Sequence, residues 1–420
     1  MRLLRVLWRR WQRQFIFIAG GLAVGLVAIG LAVASDYAQG LFHRLVANFP
    51  YAAFVVTPLG FGAAVYLTNR YFPNTQGSGI PQAIAARELE SPAAREKLVG
   101  LRTGIGKILM TLLGLLAGAS IGREGPTVQV GASIMFAIGR LSPSRQPGLI
   151  LAGAAAGVAA AFNTPIAGIV FAIEEMSRSF EMRTSGLVFS AIILAGFTSF
   201  ALVGNYTYFG STSDTLSTGI AWLAVPVCGV AGGLAGGAFA RVLIAVPTHL
   251  PKIVSSWPKN HAVFFAVMCG LGVAVCGLLS NGAVYGTGYV QARDALHGTG
   301  SLPLLYAPLK FAATALSSVS GLPGGIFSPS LSVGAGLGAD IAWFFPKEAM
   351  GAVVLLGMVS YFTGVVQAPI TAFVIVEEMT GNHGMLVPLM AAAWIANATS
   401  RLICPEGVYH ALSKRYLPRA

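Results

Sequence analysis

Charge is what this sequence has least of: Asp, Glu, Lys and Arg together make up 10% of its 420 residues. A soluble globular chain carries about 25%, so an ordinary set of soluble domains is excluded. Acids are the scarcer sign, 15 against 27 basic residues, for a net charge of +12. Cysteine is scarce as well. Cys228, Cys269, Cys276 and Cys404 form no CxxC pair and three of them lie in apolar stretches, the pattern of small core residues rather than of disulfides or metal ligands. The six histidines, from His43 to His410, fit no HExxH spacing, and no GxSxG nucleophile elbow occurs. No metal, cofactor or enzymatic activity is therefore expected. An intramembrane hydrolase pairing Glu124 with Glu174 or Glu175 would lack both nucleophile and metal.

What the chain has in abundance is uncharged length. Residues 146–173, 184–213, 215–240, 260–292, 311–339, 349–376 and 379–400 contain no Asp, Glu, Lys or Arg, and each exceeds the roughly 20 residues that span a bilayer as a helix. The expectation is an all-α, polytopic membrane protein in which each run crosses the membrane. Yet 52 glycines and 22 prolines are present, many inside these runs, so many helices must be broken. Backbone freed by a break cannot face lipid and must be buried in protein or line a wet cavity. A pathway through the molecule is the natural reason for so many breaks.

In such a chain the positive charge points to lipid headgroups and cytoplasmic loops rather than to nucleic acid. Arg2, Arg5, Arg9, Arg10 and Arg13 alternate at helical spacing with Leu3, Leu4, Leu7, Trp8 and Trp11, which predicts a basic amphipathic cytoplasmic helix over residues 1–13. The apolar run that follows ends in Ala32-Val33-Ala34, similar to a signal-peptidase site, but it is longer than the 7 to 15 apolar residues of a signal peptide. It reads as a first span. Residues 14–412 form the membrane domain, and 413–420 a short basic cytoplasmic tail with no soluble regulatory domain expected beyond it.

Internal echoes divide the membrane domain. Gly77-Ser78-Gly79-Ile80-Pro81-Gln82-Ala83 recurs as Gly286-Thr287-Gly288-Tyr289-Val290-Gln291-Ala292, and Pro165-Ile166 with Glu174-Glu175-Met176 recurs as Pro369-Ile370 with Glu377-Glu378-Met379. Pro126 and Pro329 precede Pro165 and Pro369 by 39 and 40 residues. Signals in the same order at similar spacing predict two repeats, about 70–180 and 280–382. Their inverted sense is an expectation from transporter architecture.

At three places small residues open an apolar run: GSGIP at 77–81, GREGP at 122–126 and GGIFSP at 324–329. Each reads as a helix start, with Pro tolerated in the first turn and Gly allowing close backbone approach to a ligand. Free N–H groups and the positive end of the helix dipole make such starts anion sites. Several converging starts would strip water from a small anion without a full positive charge to trap it.

These three motifs, followed by Tyr409, resemble the signature elements of the CLC family of chloride channels and chloride/proton exchangers, in order and spacing, over residues 50–412. The resemblance implies a fold of two inverted halves with many short tilted helices, a homodimer with one pathway per subunit, and a place in a prokaryotic cell membrane with both termini cytoplasmic. Carried over by position, Ser78 and Tyr409 would donate hydroxyls to a central chloride. The turn through Gly79 and the amides of Ile326 and Phe327 would meet the same ion, and the amides of Arg123, Glu124 and Gly125 would frame an outer site. Gln82 stands where many relatives have Glu. Serine at position 78 resembles chloride-preferring members.

Glu124 begins a helix in an apolar region, where an ionised carboxylate can occupy an anion site itself and leave it on protonation; this predicts a gate. A charge at the membrane centre costs about 2.5–3.5 kcal/mol on insertion scales, so burial without function is disfavoured. Arg123 is its neighbour in sequence and therefore points to another face of the helix. Glu174 and Glu175 end a long uncharged run, at the rim or inside. FNTPIAGIVFAIEEM at 162–176 resembles the exchanger segment whose second glutamate, here Glu175, takes protons from the cytoplasm. Glu377 and Glu378 read as structural echoes. The reading is chloride/proton antiport. A passive chloride channel, voltage- or pH-gated, and a sodium-coupled organic-anion carrier are the alternatives.

Overall fold

A computed structural model describes residues 2–140, 145–177, 182–204, 206–216, 219–253, 261–303 and 305–418. Among these residues the chain is helical, with no strand beyond two isolated bridges between loops. Seven described helices are long and apolar enough to cross a bilayer, from Phe17–Asn48 to His383–Ile403. The protein is an integral membrane protein. The basic N-terminal segment runs without interruption into the first of these as the single helix Arg2–Asn48. The side chains of residues 2–16, and so the amphipathic face expected there, lie outside the described residues, as do 419–420.

The uncharged runs do not each become one crossing, a correction to the simplest reading. Residues 146–173 fold as the Gln146–Phe162 helix, a corner, and the short Pro165–Phe171 helix. Residues 349–376 repeat this as Met350–Val366, a corner, and Pro369–Thr380. The two corners hold Asn163 and Gln367, each left-handed at φ 58°. A left-handed residue ends a helix, and a proline two residues later cannot continue one but starts the next well.

The two halves match in their packing. Gly153 lies against Gly131 so closely that a Cβ on it would come 2.2 Å from the Gly131 carbonyl; Gly357 and Gly334 make the corresponding contact at 2.4 Å. Small residues at these crossings let the helix backbones touch, which is how helices associate where burial from water cannot drive them together. The Gln146–Phe162 and Met350–Val366 helices are buried along their length.

The echo between the halves needs one change of register. Ala172–Ser177 is a wide, π-type turn, and Glu174 lies nine residues after Pro165 just as Glu378 lies nine after Pro369. Glu378 is thus the counterpart of Glu174, and the counterpart of Glu175 is Met379. Glu377 instead pairs with the exposed His383.

Candidate functional site

Three glycine loops from distant parts of the chain are bonded into one assembly. Gly77 N–H donates to Leu322 O (3.1 Å) and Gly324 N–H to Gly77 O (2.9 Å), while Gly122 and Gly325 exchange both backbone bonds at 2.7 Å. The loop before Phe327 thus lies between the other two. It brings together the starts of the Ile80–Glu88, Glu124–Gly139 and Phe327–Ala342 helices. None of the three has a side-chain cap from its N-cap residue, so first-turn amides have no partner inside their helix and carry its positive dipole end.

Glycine is required at two points. Gly79 is left-handed at φ 96°, and a Cβ there would strike Gln129 at 2.7 Å. Gly125 passes so near Ser78 that a Cβ would come 2.7 Å from the serine Oγ. These approaches let Ser78 reach the start of the next helix.

Ser78, Ile326 and Tyr409 line one cavity of about 170 Å³. Tyr409 belongs to the short Val408–Ser413 helix, and its ring stacks on Phe327, centroids 6.0 Å apart. The buried Tyr409 hydroxyl, with Ser78 beside it, makes no full hydrogen bond to a described residue. Glu124 is fully buried; its Oε1 accepts a hydrogen bond from Ser328 Oγ at 2.6 Å, and its Oε2 has no such bond. Arg123 turns the other way, to Asp36 at 2.6 Å and the Ala32 carbonyl at 2.7 Å on the first helix. The carboxylate of Glu124 therefore sits among uncharged donors.

Glu175, 3% exposed, is separated from this cavity by the Val408–Ser413 helix. It lines a second, polar cavity of about 530 Å³ with Glu174, Gln367, Arg401, Glu406 and His410. Its Oε1 is 3.9 Å from His410 Nε2. Two consecutive residues of one short helix thus face the two cavities, Tyr409 the first and His410 the second.

Sequence reasoning missed three residues that shape the loops. Lys107, fully buried, donates from Nζ to Thr75 O (2.7 Å) and Gly77 O (2.6 Å), and so holds the Ser78 loop from behind. Lys310 does the same in the second half, to Val284 O and Gly286 O at 2.9 Å. A lone lysine inside each apolar pattern, 203 residues apart, was the available signal. In the second half, however, Gln39 Oε1 fills the turn by accepting from Thr287 N–H (3.3 Å) and its hydroxyl (3.4 Å). The echo of the Ser78 loop is occupied by protein. Among the described residues no group of three or more His, Cys, Asp or Glu could hold a metal.

A membrane protein of two inverted halves, with three helix starts meeting beside a cavity that the Ser78 and Tyr409 hydroxyls line, is an ion-transport architecture. The family model described as voltage gated chloride channel matches residues 59–401, and the chain belongs to this family. Over its whole length it is 30% identical to the H(+)/Cl(-) exchange transporter ClcA of Yersinia pseudotuberculosis serotype IB, covering 91% of that protein. It is 28% identical to the protein of the same name from Salmonella typhimurium, over 96% of this chain and 89% of that one. Among solved structures the fold is that of a slow cyanobacterial Cl-/H+ antiporter, with TM-score 0.81 at 24% identity, covering 96% of this chain and 97% of the other. A CLC-type fluoride/proton antiporter also superimposes, with TM-score 0.81 at 22% identity over 96% and 98% of the two chains.

Proposed function

We infer that this protein is a chloride/proton antiporter. The observation that carries the reading is the convergence of a fully buried carboxylate, Glu124, with three helix starts and, beside them, the hydroxyls of Ser78 and Tyr409, while a second buried acid, Glu175, lies across one short helix. The exchange activity in the names of the curated relatives supports it. Chloride is held by the Ser78 and Tyr409 hydroxyls, the turn at Gly79 and the amides of Ile326 and Phe327; the amides of Arg123, Glu124 and Gly125 frame the outer position. Ionised Glu124 competes with the anion for those donors. When protonated it gives up the negative charge that the helix starts hold, swings aside and admits chloride. Glu175 supplies and removes that proton from the other side.

The carrier works without enzymatic chemistry or a cofactor, in a prokaryotic cell membrane, with both termini cytoplasmic. It forms a homodimer through an apolar face that includes Ile166 and Ile370, equivalent positions of the two halves that are 57% and 50% exposed. The test is the reversal potential of purified protein in liposomes under opposed chloride and pH gradients. An antiporter responds to both gradients, and a passive channel ignores the second. A response to sodium would favour the organic-anion carrier.

A further inference from the structure

We propose that His410 is the proton relay between solvent and Glu175. This rests on the antiporter reading and adds a residue that the site motifs do not contain. His410 and Glu175 face one another at 3.9 Å, with side-chain exposures of 12% and 4%, so the histidine is the more accessible member of the pair. The cavity in front of them is polar, large enough for a chain of water molecules, and reached by Gln367, Asn397 and Arg401.

The chemistry of the hop is balanced. The Nε2–H bond of the imidazolium breaks, an O–H bond forms on the Glu175 carboxylate, and both groups end neutral. No net charge enters the apolar interior at that step, whereas a hydronium ion or a bare ammonium would have to be desolvated. The neutral ring then takes a new proton from cavity water. Transfer needs the pair to close from 3.9 Å to about 2.6–3.2 Å or to share one water. Histidine is suited to the task because its ordinary pKa of about 6.5 lets it load and unload near neutrality.

Among the described residues, the charged groups that line the cavity with His410 are Glu174 and Glu175 on the wide turn, Arg401 on the Leu386–Ile403 helix, and Glu406 in the connection before Val408. Glu406 is itself paired with Lys414 at 2.6 Å. Three described carboxylates thus stand against two cations, Arg401 and Lys414, and a loaded imidazolium brings a third.

The test compares wild type with His410→Gln in proteoliposomes, following proton and chloride flux as pH is varied on the side of this cavity. His410→Gln is expected to lower proton flux about fivefold or more, to lower chloride flux less, and to remove a step in proton flux between about pH 5.5 and 7.5; added imidazole restores the flux. Unchanged proton flux with an unchanged pH profile overturns the relay. Should that variant not reach the membrane, His410→Asn decides in its place: a loss of proton flux that imidazole restores supports the relay, and unchanged proton flux overturns it. Wild-type protein that moves chloride without protons would instead overturn the antiporter reading.

Discussion

Glu174 and Glu378 each cap a helix in the other's half of the molecule. The two oxygens of Glu378 accept the amides of Ile166 (3.1 Å) and Ala167 (2.6 Å), and those of Glu174 accept Ile370 (3.1 Å) and Thr371 (2.6 Å). A carboxylate on helix-start amides is stabilised by charge-assisted bonds and by the dipole, so this pair clamps the two repeats together.

Replacing Glu378 by Gln keeps the shape but removes the charge and one acceptor oxygen. Leaving a half-buried amide unsatisfied costs about 1–3 kcal/mol, so the melting temperature in detergent should fall, while chloride flux of the surviving protein stays near wild type. Glu378 is the cleaner choice, because Glu174 also lines the second cavity. An unaltered melting temperature would show that the clamp contributes nothing.

The cavity beside Ser78 and Tyr409 differs from these filled helix starts. The helix starts at Pro165 and Pro369 are closed by glutamates and the Thr287 turn by Gln39, whereas Glu124 bonds to Ser328 through a single oxygen. With Glu124 as the proposed gate, this bond is a latch on its closed position. A hydrogen bond to an ionised group contributes about 1.5–3 kcal/mol, and the latch weighs against opening by part of that. Ser328→Ala should raise chloride turnover at neutral pH by up to about tenfold, measured as chloride efflux from liposomes. Equal or slower efflux in a folded variant would assign the serine to packing.

Much of this arrangement is legible in the sequence, and the rest is not for identifiable reasons. The helix starts around Ser78, Glu124 and Phe327 announce themselves because glycine and proline must stand where backbone turns tightly. The corners at Asn163 and Gln367 do not. A left-handed non-glycine residue is held there by tertiary packing, so an uncharged run of 28 residues reads as one crossing when it is two helices. The acidic echo is misread by one residue because the wide turn at Ala172–Ser177 leaves no mark in composition. Gln39 plugs the second-half turn from 248 positions away, and nothing local in its own helix signals that contact.

Substitutions at Glu124 and Glu175 should separate the two fluxes. With Glu124→Gln the gate is permanently neutral, and chloride should pass without protons and without pH dependence. With Glu175→Gln the gate survives but its inner proton supply does not, so chloride should continue while proton movement falls to background. Paired chloride-electrode and pH-electrode recordings on one liposome preparation check both. Coupled, pH-sensitive proton movement in Glu124→Gln would remove the gate assignment, and retained proton pumping in Glu175→Gln would place the inner relay elsewhere.

The buried lysines offer a test in which one half of the molecule controls for the other. Lys107 and Lys310 each hold two carbonyls of a glycine loop, but only the Lys107 loop carries Ser78 toward the cavity proposed to hold chloride. Methionine fills a similar volume without the ammonium; it takes the lysine donor from Val284 O and Gly286 O in one half and from Thr75 O in the other, where Gly77 O keeps the Gly324 amide, at about 1–3 kcal/mol per buried group left unsatisfied. Both variants should therefore melt at lower temperature, Lys310→Met by the larger amount. Chloride affinity, read by calorimetric titration of the purified protein, should fall in Lys107→Met alone, because that loop alone loses its register against Gly125 and Tyr409. Equal loss of affinity in Lys310→Met would mean that the two loops move as one body and that the Gln39 plug does not isolate the second half from the ion.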